Sequence, residues 1–314
     1  MNRPTTFFRL TVLCLVSTGI DRCLAQERFD LRPHFAKDDS HSVVVTVEQT
    51  IDQTVHDRLE HLTQRITTGY TLKVEEVDDR GQATVSLHFD SQGYHATAGS
   101  TVIDFDSTQP GTVEPAIAAP LAVLIGQTLT FTVSPEGQVV RVSGIEKLAN
   151  QVVNKLSGVE GPARTAVERV LRAQLSEPGL KNTLQNLFAP FPDHAVGLGE
   201  SWPHTTHINT GIPLTLETTC TLKSRENGIA TVEISGHFST PPNTTLELGQ
   251  TKFSCDFQGD SRGQVQVQES TGWIVHSTTT QSLAGTATTK SPVVDDQSIP
   301  LKVESTMKAN ANPK

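Results

Sequence analysis

Polar and apolar residues alternate with a period of two along much of the chain. Val43, Val45 and Val47 alternate with Val44, Thr46 and Glu48, and Ala83, Val85, Leu87 and Phe89 with Thr84, Ser86 and His88. Leu129, Phe131 and Val133 alternate with Thr130 and Thr132, and Val265 and Val267 with Gln264, Gln266 and Gln268. Successive side chains of a strand point to opposite faces, so the pattern predicts strands that are buried on one face and wet on the other. Such strands form antiparallel sheet. Asp78-Asp79-Arg80-Gly81, Ser134-Pro135-Glu136-Gly137, Glu226-Asn227-Gly228 and Ser270-Thr271-Gly272 separate strand-like runs. Each ends on a glycine, the residue that closes a tight turn in left-handed backbone, so four hairpins are predicted.

One hairpin pattern occurs twice. Thr71-Leu72-Lys73, a turn and Gly81-Gln82-Ala83-Thr84-Val85 return as Thr221-Leu222-Lys223, a turn and Gly228-Ile229-Ala230-Thr231-Val232. The recurrence predicts two related β units. Between them the period changes. Ile145, Leu148, Ala149, Val152, Val153 and Leu156 recur at helical spacing. After a break at Gly158 to Gly161, Pro162 opens a second helix with Ala163, Ala166, Val167, Val170 and Leu171 on its apolar face. Ser176 caps a third that carries Leu180, Leu184, Leu187 and Phe188, ended by Pro190 and Pro192. The alanine-rich stretch 113–126, with Pro115 and Pro120 inside it, reads as a buried connection, irregular or briefly helical.

The predicted fold is mainly β (α+β): antiparallel sheets in two related halves around a helical insert, with a curved half-barrel as the general shape. The expected organisation is a signal at 1–25, an N-terminal β half at 26–143, helices at 144–190, a C-terminal β half at 191–309 and a tail without structure at 310–314.

The N-terminus supplies the compartment. Arg3 and Arg9 precede an apolar run of 11 residues, Leu10 to Ile20, and Cys23-Leu24-Ala25 has the small residues of a signal-peptidase site. Cleavage is expected between Ala25 and Gln26, giving an exported protein, periplasmic or extracellular. Neither Cys14 nor Cys23 fits the place of a lipid anchor well, so a lipoprotein is the lesser alternative. No later stretch reaches 18 apolar residues, so no transmembrane helix is expected. Removal of residues 1–25 takes Arg3, Arg9, Arg22 and Asp21, leaving 22 basic against 33 acidic residues, net −11. That charge repels phosphate backbones and argues against a nucleic-acid partner.

Cys220 and Cys255 remain after cleavage. An oxidising compartment favours a bridge between them, closing a loop of about 36 residues and contributing roughly 3–4 kcal/mol. The alternative is two unpaired buried thiols.

Catalytic signals are weak. Gly259-Asp260-Ser261-Arg262-Gly263 matches the nucleophile elbow, but that motif needs a helix after the serine. Here alternation before (Phe253, Cys255, Phe257) and after (Val265, Val267) predicts a hairpin tip. His204 and His207 point to opposite faces of a strand. His56 and His61 lack metal-ligand spacing, and Asp104 and Asp106 with Glu114 form at most a weak acidic site. Trp202 and Trp273 are expected in the core. No cofactor is implied.

Five stretches resemble one family: Leu31-Arg32-Pro33; Pro120-Leu121-Ala122-Val123-Leu124-Ile125-Gly126-Gln127-Thr128; Ser134-Pro135-Glu136-Gly137 leading to Val142-Ser143-Gly144; Leu187-Phe188-Ala189-Pro190-Phe191-Pro192; and Gly197-Leu198-Gly199-Glu200-Ser201-Trp202. Their order and spacing are similar to those of DUF6263, an uncharacterised group of exported bacterial proteins of planctomycete type, with Glu200 where the motif usually has aspartate. The family has no assigned activity, so the resemblance implies no functional residue.

The expected function is non-enzymatic: binding or carrying a hydrophobic small molecule, with Ile145, Leu148, Val152, Val167 and Leu171 lining a cavity. The alternative is a structural or interaction module that meets a protein of the cell envelope. A hydrolase built on Ser261 or Asp104 is disfavoured.

Overall fold

A computed structural model of the chain describes residues 27–55, 58–109, 118–156, 164, 168–169, 171–172, 175–185, 187–188, 191–209, 212–248, 251–290 and 298–313. The expected cleavage site at Ala25 and Gln26, Glu114, His56 and most of the second helix, including Val167, lie outside these residues.

The strands of the N-terminal half are β1 (Arg28–Phe29), β2 (Ser40–Val55), β3 (Arg58–Val77), β4 (Ala83–Ala98), β5 (Thr101–Asp106), β6 (Thr128–Val133) and β7 (Val139–Ser143). A one-turn helix, α1 (Ala119–Ala122), precedes β6, as the apolar connection there allowed. The helical centre contributes α2 (Ile145–Asn154) and α3 (Glu177–Gln185). The second half adds β8 (Val196–Gly197), β9 (Ser201–Asn209), β10 (Pro213–Glu226), β11 (Ile229–Ser239), β12 (Thr245–Leu248), β13 (Thr251–Gln268), β14 (Ile274–Lys290) and β15 (Ser298–Pro313). All four predicted turns join adjacent strands, with Gly81, Gly137, Gly228 and Gly272 at positive φ.

Thirteen strands form one antiparallel sheet in the order β7-β6-β4-β3-β2-β15-β14-β13-β11-β10-β9, with β5 beside β4 and β12 beside β13. The two halves are therefore continuous. The chain starts in the middle of the sheet at β2 and meanders out to the edge strand β7. It crosses through the helices to the other edge, β9, and meanders back to β15 at the side of β2. The recurring hairpins are β3–β4 and β10–β11. Each carries a bulge, at Val74/Glu76 and Leu222/Ser224, and each buries its leucine, alanine and valine (Leu72, Ala83, Val85; Leu222, Ala230, Val232).

α3 lies against both β7 and β9, the two edges of the open sheet. A strand edge carries unpaired backbone groups and must be covered; the helices sit where the meander leaves its gap. The main core lies between α2, α3 and strands β2 to β7, with Leu72, Val74, Phe131, Leu148, Val152 and Leu184 fully or nearly buried. β3 has 20 residues, about 65 Å at the usual rise per residue. Its outer reach extends beyond α2 and α3, where Leu62 and Ile66 pack with Ala118, Leu121 and Ala122 of the α1 segment.

Three sequence-based expectations are corrected. Residues 310–313 are not a loose tail: they end β15 and pair with Ser42 and its neighbours on β2, Ala311 opposite Val43 and Asn312 opposite Ser42. Gly259 to Gly263 is not a hairpin tip but the interior of β13, which runs unbroken from Thr251 to Gln268. The glycines answer close approach rather than a turn: a Cβ on Gly259 would lie 2.0 Å from the Ser282 carbonyl oxygen, and one on Gly263 2.6 Å from that of Thr278.

The third correction is the disulfide: Cys220 and Cys255 are separate buried thiols. Cys220 pairs with Ile234, Ile234 with Gly263, and Cys255 sits a further eight residues along β13, about 27 Å away at the strand rise. A bridge needs Cα atoms within about 7 Å. Burial pushes the Cys220 thiol up to about 11 and raises that of Cys255, so both resist reagents while the sheet is intact. A chain beginning at Gln26, unfolded in urea without reductant, is expected to take two thiol labels. No label would restore the bridge.

Candidate functional site

The inner face of the sheet follows from register. His41, Val43 and Val45 of β2 stand opposite Leu72, Tyr70 and Thr68 of β3. On the other side of β2, Ala309 and Ala311 of β15 continue the same face. α3 lies over it. The Ser176 hydroxyl accepts a hydrogen bond from the Gly179 N–H at 3.3 Å, capping the helix as its position suggested. Leu180 and Leu184 then point down toward the sheet.

Between α3 and this face lies a cavity of about 560 Å³. Gly179, Thr183 and Leu187 form its roof, Val43, Tyr70 and Met307 belong to its walls, and Thr206 and Ile208 of the opposite edge strand reach its rim. No lysine, arginine, aspartate or glutamate is among the described residues that line it.

Aromatic rings form one end. Trp273 lies 4.5 Å from His41, 5.7 Å from Phe35 and 5.9 Å from Phe188 between ring centroids. Trp273 is fixed by its turn. The Gln268 N–H donates to the Trp273 carbonyl (2.9 Å), and the His34 N–H to that of Thr271 (2.8 Å). Gly272 has φ +70°, and a Cβ there would lie 2.5 Å from the Arg32 carbonyl oxygen, so the turn requires glycine.

His41 and Trp273 are 5% and 3% exposed. His41 Nδ1 and Trp273 Nε1 are both buried and have no hydrogen-bond partner among the described residues. Burial pushes the His41 imidazole below its ordinary value, and Asp39 opposes this only partly. The ring is therefore neutral at pH 7.

Of the residues expected to line a cavity, Leu148 does. Val152 is buried in the core against the sheet, Leu171 is packed at its margin, and Ile145 borders a separate groove on the far side of α2. The rest of the apolar stripe of α2 is consumed by packing, and most of the space lies under α3. Sequence reading missed His41, Tyr70 and Thr68. His41 had a signal: it extends the inward series Val43, Val45, Val47 by one step, and an imidazole at an inward position of a strand is uncommon.

The other candidates are accounted for locally. Ser261 is buried within a row of neutral polar side chains that crosses the inner face above the cavity: Gln64, Gln49, Ser305, Gln281, Ser261 and Thr218. In that row the Gln64 amide donates to Gln49 at 2.7 Å. His204 and His207 lie three apart on β9, on opposite faces, and His207 borders the cavity beside Thr206 and Ile208. Asp104 meets His95 at 3.1 Å on the exposed outer face. Trp202 is buried beside Cys220. Among the described residues no three His, Cys, Asp or Glu side chains form a metal-binding group, and no helix is long and apolar enough to cross a membrane.

Solved structures similar to the chain include one of lipid–protein interactions in lipovitellin (8% identity, TM-score 0.48), matched over 88% of this chain and 25% of that one. The chain thus spans a quarter of the lipovitellin chain. Pseudomonas aeruginosa OccK7 (7% identity, TM-score 0.23) is matched over 88% of this chain and 99% of its own length. The translocator domain of the autotransporter NalP from Neisseria meningitidis (6%, TM-score 0.22) is matched over 88% and 89%. No curated protein matches the chain. The model of one family, DUF6263, matches residues 80–274, a span from β4 to the first residue of β14 that holds α1, α2, α3 and most of the sheet, and the chain belongs to this family of unknown function.

Proposed function

We propose that the protein is an exported, non-enzymatic binding or carrier protein that holds a hydrophobic small molecule between α3 and the inner face of the sheet. The cavity of about 560 Å³ carries this reading. It falls within the range of small-molecule sites, roughly 300–1,000 Å³. Protein interiors are otherwise packed with few voids larger than a water molecule. An apolar occupant would take the apolar lining out of water, a gain of about 25 cal/mol per Å² buried. Export rests on the arrangement of Arg3, Arg9, the apolar run and Ala25.

The test uses the neutral dye N-phenyl-1-naphthylamine and the Gly179→Leu variant. Gly179 faces the cavity from within α3. Leucine there fills space without removing any packed side chain, and raises helix propensity by about 1 kcal/mol. The native protein is expected to bind one dye per chain and to release a co-purified lipid in native mass spectrometry. Gly179→Leu is expected to weaken dye binding at least about tenfold while the protein stays folded. A protein that excludes the dye and co-purifies with nothing would end the proposal.

A further inference from the structure

We infer that His41 and Trp273 form a polar anchor in the cavity, and that the ligand is an uncharged lipid carrying a hydroxyl or carbonyl oxygen on an apolar chain. This rests on the reading of the cavity as a ligand site and names the chemistry that site selects.

Buried polar groups are paired in nearly all folded proteins, and an exception calls for an explanation. Among the described residues four buried side-chain atoms have no partner, and two of them, His41 Nδ1 and Trp273 Nε1, belong to side chains that are in ring contact at 4.5 Å and line the same cavity. Trp273 is held by the Gly272 turn, and His41 stands opposite Leu72 in the register of β2 and β3. Indole N–H can only donate, so the ligand atom opposite it must accept. A neutral imidazole offers one donor and one acceptor. A hydroxyl satisfies both rings at once, and a carbonyl oxygen accepts from both. A pure hydrocarbon would leave both nitrogens unpaired.

An ionised head group does not fit. The described lining holds no lysine or arginine, and burial disfavours the charged form of His41. A carboxylate at the His41–Trp273 end would be buried with no lysine or arginine beside it, which is strongly unfavourable. The anchor therefore discriminates in two directions, against alkanes by missing hydrogen bonds and against fatty-acid anions by missing charge.

Displacement of N-phenyl-1-naphthylamine by dodecane, dodecan-1-ol and dodecanoate tests this, in the native protein and in His41→Phe and Trp273→Phe, which keep the ring stack. Dodecan-1-ol is expected to bind at least about tenfold more tightly than either of the others, a factor two net hydrogen bonds supply. In each variant the advantage over dodecane is expected to fall to about twofold or less, with cooperative urea unfolding as the sign of a folded protein. Equal affinities for alcohol and alkane in the native protein, or an advantage that survives both substitutions, would overturn the anchor while leaving the cavity reading intact. Tightest binding of dodecanoate would overturn the uncharged class. Failure of the dye itself to bind would sink both.

Discussion

Val303→Pro is expected to split the sheet. Val303 lies in the middle of β15, opposite Leu283 on one side and Ile51 on the other. In a central strand each N–H is bonded to one neighbour or the other, and proline supplies none. The ring also fixes φ near −65°, away from extended antiparallel geometry. The direct cost is a lost ladder hydrogen bond whose partner is left unpaired, about 1–3 kcal/mol, plus the strain of the ring in extended backbone. The position magnifies it, because β15 is the strand that joins β14 of the second half to β2 of the first. With a total stability of about 5–15 kcal/mol, the two halves would no longer hold together. Circular dichroism with urea titration is the measurement. The expected result is loss of the cooperative transition or a midpoint far below that of Val303→Thr, which keeps the N–H and the branched side chain. Equal midpoints for the two variants would mean that β15 does not join the halves.

Phe131→Ala is expected to cost about 3–5 kcal/mol. Phe131 is 1% exposed and lies on β6 between Val85 and Val142. Its ring meets that of Phe188 edge-on at 6.3 Å, which couples the sheet to the segment just after α3. Truncation loses the transferred area, the ring contact and the filled volume together. In urea the midpoint should fall with the slope unchanged. A loss under about 1 kcal/mol would mean that the helical segment does not cover this part of the sheet.

Much of this molecule was legible in residue order. Period-two alternation located the inward faces of β2, β4, β6 and β13, and glycine-ended turns located four hairpins. Helical spacing located α2 and α3, down to the cap at Ser176. The error at Gly259 to Gly263 is instructive. Phe253, Cys255 and Phe257 have the same parity as Val265 and Val267, so the alternation passes through the segment without slipping. A turn would have been free to shift it. The motif looked like a turn because glycine, serine and aspartate are turn residues, whereas the glycines are required by the neighbouring backbone of β14.

The sequence by itself determined what depends on neighbours in the chain: strand periodicity, turn chemistry, helix faces and the recurrence of one hairpin. Tertiary structure alone decided what depends on residues far apart. It placed β15 beside β2, set the distance that keeps Cys220 from Cys255, and put α3 across the gap between β7 and β9. It also put most of the cavity under α3, with His41 and Trp273 in contact although 232 positions separate them. Local propensity specifies which side of a strand faces inward. Only the packing of distant strands and helices across the open sheet specifies what that side meets.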